Sequence, residues 1–183
     1  ALQAGNPNIK IPKEHTAHVT FNQTFVEHSS SLGVYVNYVL TQDYITTNSQ
    51  YFTESKYLPE YNYTVLAGAT LYSTENSDSY HRLTANVNYS KLSKWLKSSV
   101  RMSLGYDYQK RPSFYQGEAN HGESHQGSFV FHITSNFSKK MELTFESTTA
   151  LANYKSAWSR ASNMLKETIN FSVRTTFIPK YTV

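Results

Sequence analysis

The chain has 183 residues, no cysteine, and 17 Lys plus Arg against 13 Asp plus Glu, a formal charge of +4. That length can bury a core without staples, and the missing cysteines exclude disulfides, thiolate zinc sites and thiol nucleophiles. No apolar run of roughly 18 residues exists, which excludes a transmembrane helix, and the modest, dispersed charge does not point to nucleic acid.

Aromatic residues make up 15% of the chain, with 15 Tyr and 10 Phe against 2 Trp. Charged residues make up 16%, below the roughly 25% of ordinary soluble domains. Abundant Tyr, Ser, Thr and Asn with few Lys and Glu is a strand-rich composition. The start, Ala1-Leu2-Gln3-Ala4, lacks the basic region and apolar core of a signal peptide. An exported protein would therefore be seen here as a processed form or a fragment.

Taken in chain order, period-two patterning predicts about eight strands. Ala17, Val19, Phe21 and Phe25 form the first apolar row, and Leu32, Val34, Val36, Tyr38 and Leu40 the second. Residues 63–71 give a weaker third candidate through Val65, Ala67 and Ala69. Leu83, Ala85, Val87 and Tyr89 then oppose Arg82, Thr84, Asn86 and Asn88. The clearest case follows: Val100, Met102, Leu104, Tyr106 and Tyr108 oppose Ser99, Arg101, Ser103, Gly105 and Asp107. Phe129, Phe131 and Ile133 make a shorter row. Met141, Leu143 and Phe145 oppose Lys140, Glu142, Thr144 and Glu146, and Ile169, Phe171 and Val173 oppose Asn170, Ser172 and Arg174. Only residues 90–97 and 164–167 have a helical look, and both are too short.

The connectors alternate in length. Short ones are expected at residues 28–31 and 136–140, a medium one at 90–98, and long ones at 46–60, 110–127 and 154–162. Strands of about 10 or more residues, joined alternately by short turns and long loops, favour an antiparallel transmembrane β-barrel. In that reading the apolar rows face lipid and the polar rows face a lumen. Tyr38, Tyr89, Tyr106, Tyr108 and Tyr154 would then form an aromatic girdle. A soluble β-sandwich would put the same apolar rows against a second sheet, and period two alone does not separate the two.

Several passages, in order along most of the chain, resemble the C-terminal part of the barrel of TonB-dependent receptors of Gram-negative outer membranes. Gly5-Asn6-Pro7-Asn8-Ile9-Lys10 is similar to the family's Gly-Asn-Pro-Asn-Leu-Lys-Pro-Glu element, with the following Pro12 displaced by one position. Asp43-Tyr44-Ile45-Thr46 is similar to a strand end before an outer loop, and Val65-Leu66-Ala67-Gly68-Ala69-Thr70-Leu71 to a lead into the next strand. Arg111-Pro112-Ser113-Phe114-Tyr115-Gln116-Gly117-Glu118 resembles a loop after a long strand. Asn136-Phe137-Ser138 with Met141-Glu142-Leu143 resembles a short turn. The closest subfamily carries a carboxypeptidase-regulatory-like domain in front of its barrel.

The resemblance implies a cell outer-membrane location, with residues 1–183 forming one barrel segment in contact with outer-membrane lipid. It implies solute uptake or binding as the function. The partners implied are the rest of the same barrel or other outer-membrane subunits, and a surface lipoprotein or TonB acting through a plug domain. Plug, TonB box and terminal aromatic are missing from this sequence, so an incomplete barrel of about eight strands is expected. A small complete barrel, a structural or assembly component without transport, and a secreted binding sandwich remain the alternatives. The resemblance sets residues 5–12 on the outer side, whereas eight strands counted back from an inner C-terminus set them on the inner side. Residues 63–71 are therefore the segment expected to belong to a loop.

The charges on the polar rows, Arg82, Arg101, Asp107, Glu142, Glu146 and Arg174, are the lumen-facing candidates. They either tune solute passage or form salt links that hold register. Arg101 and Asp107 are too far apart on one strand to pair with each other. His121, Glu123 and His125 share one side of an extended segment and could close on a borderline metal. The plainer reading is a polar loop tip, and no metal is assigned. His15 and His18 have opposite parity. Residues 122–127 lack the Gly-x-Ser-x-Gly of a nucleophile elbow, and no glycine-rich phosphate loop is present. Glu142 and Glu146 lie roughly 13 Å apart by strand rise, too far for a paired-carboxylate hydrolase. Sequons at Asn22, Asn62, Asn88, Asn136 and Asn170 are expected by chance in so Ser/Thr/Asn-rich a chain. No catalysis and no cofactor are expected.

Overall fold

The computed structural model describes residues 2–95, 97–138, 140–156 and 159–175. In chain order the strands are β1 (Leu2–Ala4), β2 (Lys13–Phe25), β3 (Ser30–Gln42), β4 (Ile45–Tyr51), β5 (Lys56–Leu58), β6 (Tyr63–Val65) and β7 (Thr70–Asn76). Then follow β8 (Tyr80–Ser93), β9 (Ser98–Tyr115), β10 (Glu118–Ser138), β11 (Met141–Ser156) and β12 (Ser159–Thr175). The helical content among the described residues is one 3₁₀ turn, Pro59–Tyr61.

Seven strands make one antiparallel sheet in the order β12-β11-β10-β9-β8-β3-β2. Each strand lies beside its sequence neighbour except at β3 and β8, which pair across an insertion of residues 43–79. The alternating β-branched and aromatic residues suit a pleated surface with two unlike faces. Pairing places opposite residues on the same face, so the two faces stay distinct across all seven strands.

The insertion folds into a cap at one end of the sheet. In it, β7 pairs antiparallel with β4 and parallel with β1, and β5 pairs with β6. The apolar core sits here: Leu58, Val65 and Leu71 are buried, with Leu2, Ala4, Phe52 and Ala69 packed against them. At the opposite, turn end, residues 26–29 form a tight turn, and the Lys97 N–H donates to the Lys94 carbonyl at 3.3 Å.

Three connectors differ from expectation. Residues 110–127 are a continuation of the β9–β10 hairpin, closed by the two-residue tip Gln116–Gly117, both with positive φ (55° and 81°). That geometry belongs to a primed hairpin turn and needs glycine at its second place. Residues 154–162 are likewise strand up to Ser156 and again from Ser159, with these two paired. Residues 46–60 contain β4 and β5. In each case the sequence is too polar to alternate, yet the ladder is made by the backbone and continues regardless.

The main sheet therefore has seven strands where eight were counted, because residues 63–71 fall in the cap. With seven, the segment before β2 lies at the loop end of the sheet, and the described part of β12 reaches the turn end. Among the described residues no closed barrel forms; β2 and β12 are the two edges of the sheet. The C-terminal Pro179–Val183, where the family pattern ends on an aromatic, lies outside the described residues.

The apolar runs do not follow the hydrogen-bond rows. Val36, at the centre of the β3 run, is in register with Ala85, Tyr106, Gly127, Leu151 and Leu165. The β12 run instead centres on Phe171, six residues beyond Leu165 toward the turn end. Leu104 on β9 and Phe131 on β10 fall between. Between β3 and β12, five strand steps apart, the drift averages about 1.2 residues per strand; the β11 run, centred on Leu143, lies eight residues from Leu151, and the β2 run, centred on Phe21, lies two residues toward the turn end from Val19. With a rise of about 3.3 Å and a strand spacing of about 4.8 Å, the apolar band crosses the strands obliquely, as if they were tilted by about 40°. Leu151 and Leu165, which face each other across β11 and β12, stand on the loop side of this band.

Candidate functional site on the concave polar face

Register puts Arg82, Arg101, Asp107, Glu142, Glu146 and Arg174 on one face of the sheet. That face carries two grooves. A groove of about 640 Å³ is lined by Asn22, Ser31, Asn88, Arg101, Ser103 and His132, from five adjacent strands. A second, of about 230 Å³, runs from Thr84 on β8 to Met164 on β12.

Asp107 is the hub. Its Oδ2 accepts from Arg82 Nε at 3.0 Å and from Thr84 Oγ1 at 2.8 Å. Arg82 Nη2 is also 3.0 Å away, and Gln109 Nε2 donates to Oδ1 at 3.2 Å. Asp107 is thus paired from the neighbouring strand β8. Glu146 is met by His132 Nδ1 at 3.3 Å and by Asn170 Nδ2 at 3.4 Å. His132 Nε2 lies 2.9 Å from Thr134 Oγ1, so both ring nitrogens are engaged. Glu142 and Arg174 stand opposite each other on β11 and β12.

Arg101, like Glu142 and Arg174, makes no ion pair among the described residues, and it projects into the larger groove. Around it the groove offers neutral donors and acceptors: Ser103 Oγ donates to Asn88 Oδ1 at 2.7 Å, and the Ser31 and Ser90 hydroxyls meet at 2.7 Å. Such a surface can hold a hydroxylated or anionic solute through Arg101, while Arg82, Asp107 and Glu146 are engaged by their neighbours.

His132, Thr84, Gln109 and Asn170 were missed by sequence reasoning. Parity would have found His132, which alternates with Phe131 and Ile133. Tyr154 also sits on the polar face, where its hydroxyl accepts from Gln126 Nε2 at 3.2 Å; it is not part of a lipid-side girdle. Tyr38, Tyr106 and Tyr108 are on the apolar face at its loop end, and Tyr89 nearer its turn end.

His121, Glu123 and His125 do share one face, but they do not converge. His121 Nε2 is 3.8 Å from Glu123 Oε1, while His125 Nδ1 is 2.8 Å from the Tyr106 hydroxyl and its ring lies on Tyr108. No group of three such ligands forms among the described residues. His15 and His18 fall on opposite faces.

The cap adds a second polar hub. Asn48, 2% exposed, donates to Glu75 Oε1 at 2.8 Å and accepts from the Gly117 N–H at 3.1 Å. The Gln116 N–H donates to the Ser49 carbonyl at 3.0 Å. The β9–β10 tip is thus latched onto β4.

The chain was compared with protein-family models, with curated proteins and with solved structures, and it matches none of them.

Proposed function

We propose that the chain is a section of the wall of an outer-membrane β-barrel, similar to the TonB-dependent receptors, with its grooved polar face lining a solute path. The oblique apolar band carries this reading. Membrane barrels tilt their strands by about 35–45°, and the overall offset of the apolar runs from β3 to β12 corresponds to a tilt of about 40°. The nine residues 100–108 of β9, tilted so, project to about 23 Å, against about 25 Å for a lipid-facing band.

Exposure supports it. Val19, Leu104, Ile169 and Phe171 are all more than half exposed on that face. Monomeric soluble proteins rarely leave so continuous an apolar surface bare, and a sandwich would need a second sheet over it. The edges β2 and β12 would be met by further wall strands. Energised uptake would need TonB and a plug domain, and the cap would lie at the ligand-facing mouth.

The alternative, a structural wall without transport of its own, is favoured by the saturation of Asp107 and Glu146 by neighbouring side chains. The test is flotation of the full chain with phosphatidylcholine vesicles, with gel mobility read before and after boiling. Co-flotation and a heat-dependent mobility shift are expected. A chain that stays in the aqueous fraction as a monomer sinks the proposal.

A further inference from the structure

Beyond the apolar band, at its loop end, the same face becomes basic. Lys13 and His15 stand there on β2, His81 on β8, Lys110 on β9, His121 on β10 and Lys155 on β11, against one carboxylate in that row, Glu123. His81 is in register with Lys110, Lys110 with Glu123, and Glu123 with Lys155. Between band and belt lies an aromatic fringe of Tyr38, Tyr106 and Tyr108. Two of these tyrosines hold a histidine: Tyr38 Oη is 2.7 Å from His81 Nδ1, and Tyr106 Oη is 2.8 Å from His125 Nδ1. A phenol that donates to Nδ1 leaves the Nε2–H as a free donor.

His81, Lys110 and His121 share a polar cavity of about 410 Å³ with Asp78, Ser79 and Pro112. Apolar wall, aromatic fringe, then cations is the order in which a lipid presents acyl chains, glycerol region and phosphate. We propose that the cavity around Lys110 holds the phosphate of a lipid headgroup in the leaflet at the loop end. This rests on the wall reading above and names the lipid chemistry that the wall would select. Lys110 supplies the charge, His81 and His121 supply ring N–H donors, and Asp78 is an acceptor for a headgroup hydroxyl.

The full chain is floated with vesicles of phosphatidylcholine, with and without phosphatidylglycerol, then extracted in detergent. Native mass spectrometry reads the lipid kept by each chain. Preferential retention of phosphatidylglycerol is expected. Lys110→Gln should weaken that retention about tenfold, the loss of one charge-assisted hydrogen bond. His81→Gln with His121→Gln should weaken it less, and Lys94→Gln, in a turn at the far end, should leave it unchanged. A chain that floats but keeps both lipids equally overturns the headgroup site and leaves the wall reading standing. So does a Lys110→Gln variant that retains phosphatidylglycerol like the wild type. Full displacement of lipid by inorganic phosphate at matched concentration identifies a free-anion site and overturns lipid as the occupant. A chain that floats with neither vesicle overturns the wall reading, and the headgroup site with it.

Discussion

In the cap, Val65 is 0% exposed, and Leu58 and Leu71 close around it. In the seven-stranded sheet, Leu104, Ile169 and Phe171 stand 57%, 60% and 66% exposed although they alternate as regularly as any core strand. Both regions are strands of similar residues. The cap folds its short strands over one another and completes its burial alone. The sheet stays one layer thick, gathers its polar side chains on one grooved face, and leaves its apolar face to whatever surrounds it. An alternating strand therefore records that one face is dry without saying what keeps it dry.

The sharpest way to break this contrast is a charge on each face of β9. Leu104→Arg should cost about 2–4 kcal/mol in vesicles, the penalty of an arginine at mid-bilayer depth. Ser103→Arg, one residue away on the polar face, should cost within about 1 kcal/mol. Denaturant titration of the vesicle-bound chain measures both, and equal costs would mean that the faces do not see different solvents. Leu71→Ala comes next, at about 2–3 kcal/mol. Its effect should be confined to the cap: faster protease cleavage within residues 43–79, with amide exchange in β8 to β11 unchanged. Asn48→Ala is smaller, about 1–3 kcal/mol, because it strands the Gly117 N–H and leaves Ser73 Oγ as the Glu75 carboxylate's remaining donor. Faster amide exchange at Gly117 is the readout. Unchanged exchange there would mean that the hairpin tip does not depend on the cap.

How much of this was legible follows from range. Alternation is a local signal, so β2, β3, β8 and β9 were readable, and parity alone put the six charges on one face. The cap strands β1, β5 and β6 have three residues each, too few to display a period. The partner of Asp107 was not readable, because pairing with β8 is set by register between strands and not along one. The oblique band was hidden for the same reason, since it exists only as an offset between neighbours. Residues 110–127 looked like a loop because their side chains are polar, while their hydrogen bonds belong to the backbone. His121, Glu123 and His125 were correctly set on one side by parity, but parity says nothing about whether rings turn toward each other or toward tyrosines on the next strand.

The smallest effect separates the two regions by pH. Burial chiefly, then the negative charges of Glu60 and Glu75, raises the pKa of the Tyr61 hydroxyl above the ordinary tyrosine value. The folded cap therefore prefers the neutral phenol. Its contribution is fully present below the unfolded value of about 10 and is lost as pH rises through the raised folded value. Protease cleavage within residues 43–79 should accelerate above about pH 10, and Tyr61→Phe should flatten that rise because no proton can leave. Tyr61 has no place in the wall, so flotation with vesicles should not change over the same range. If alkali released the chain from vesicles while the cap stayed resistant, the cap would be the sturdier of the two regions. The burial argument that distinguishes them would then be inverted.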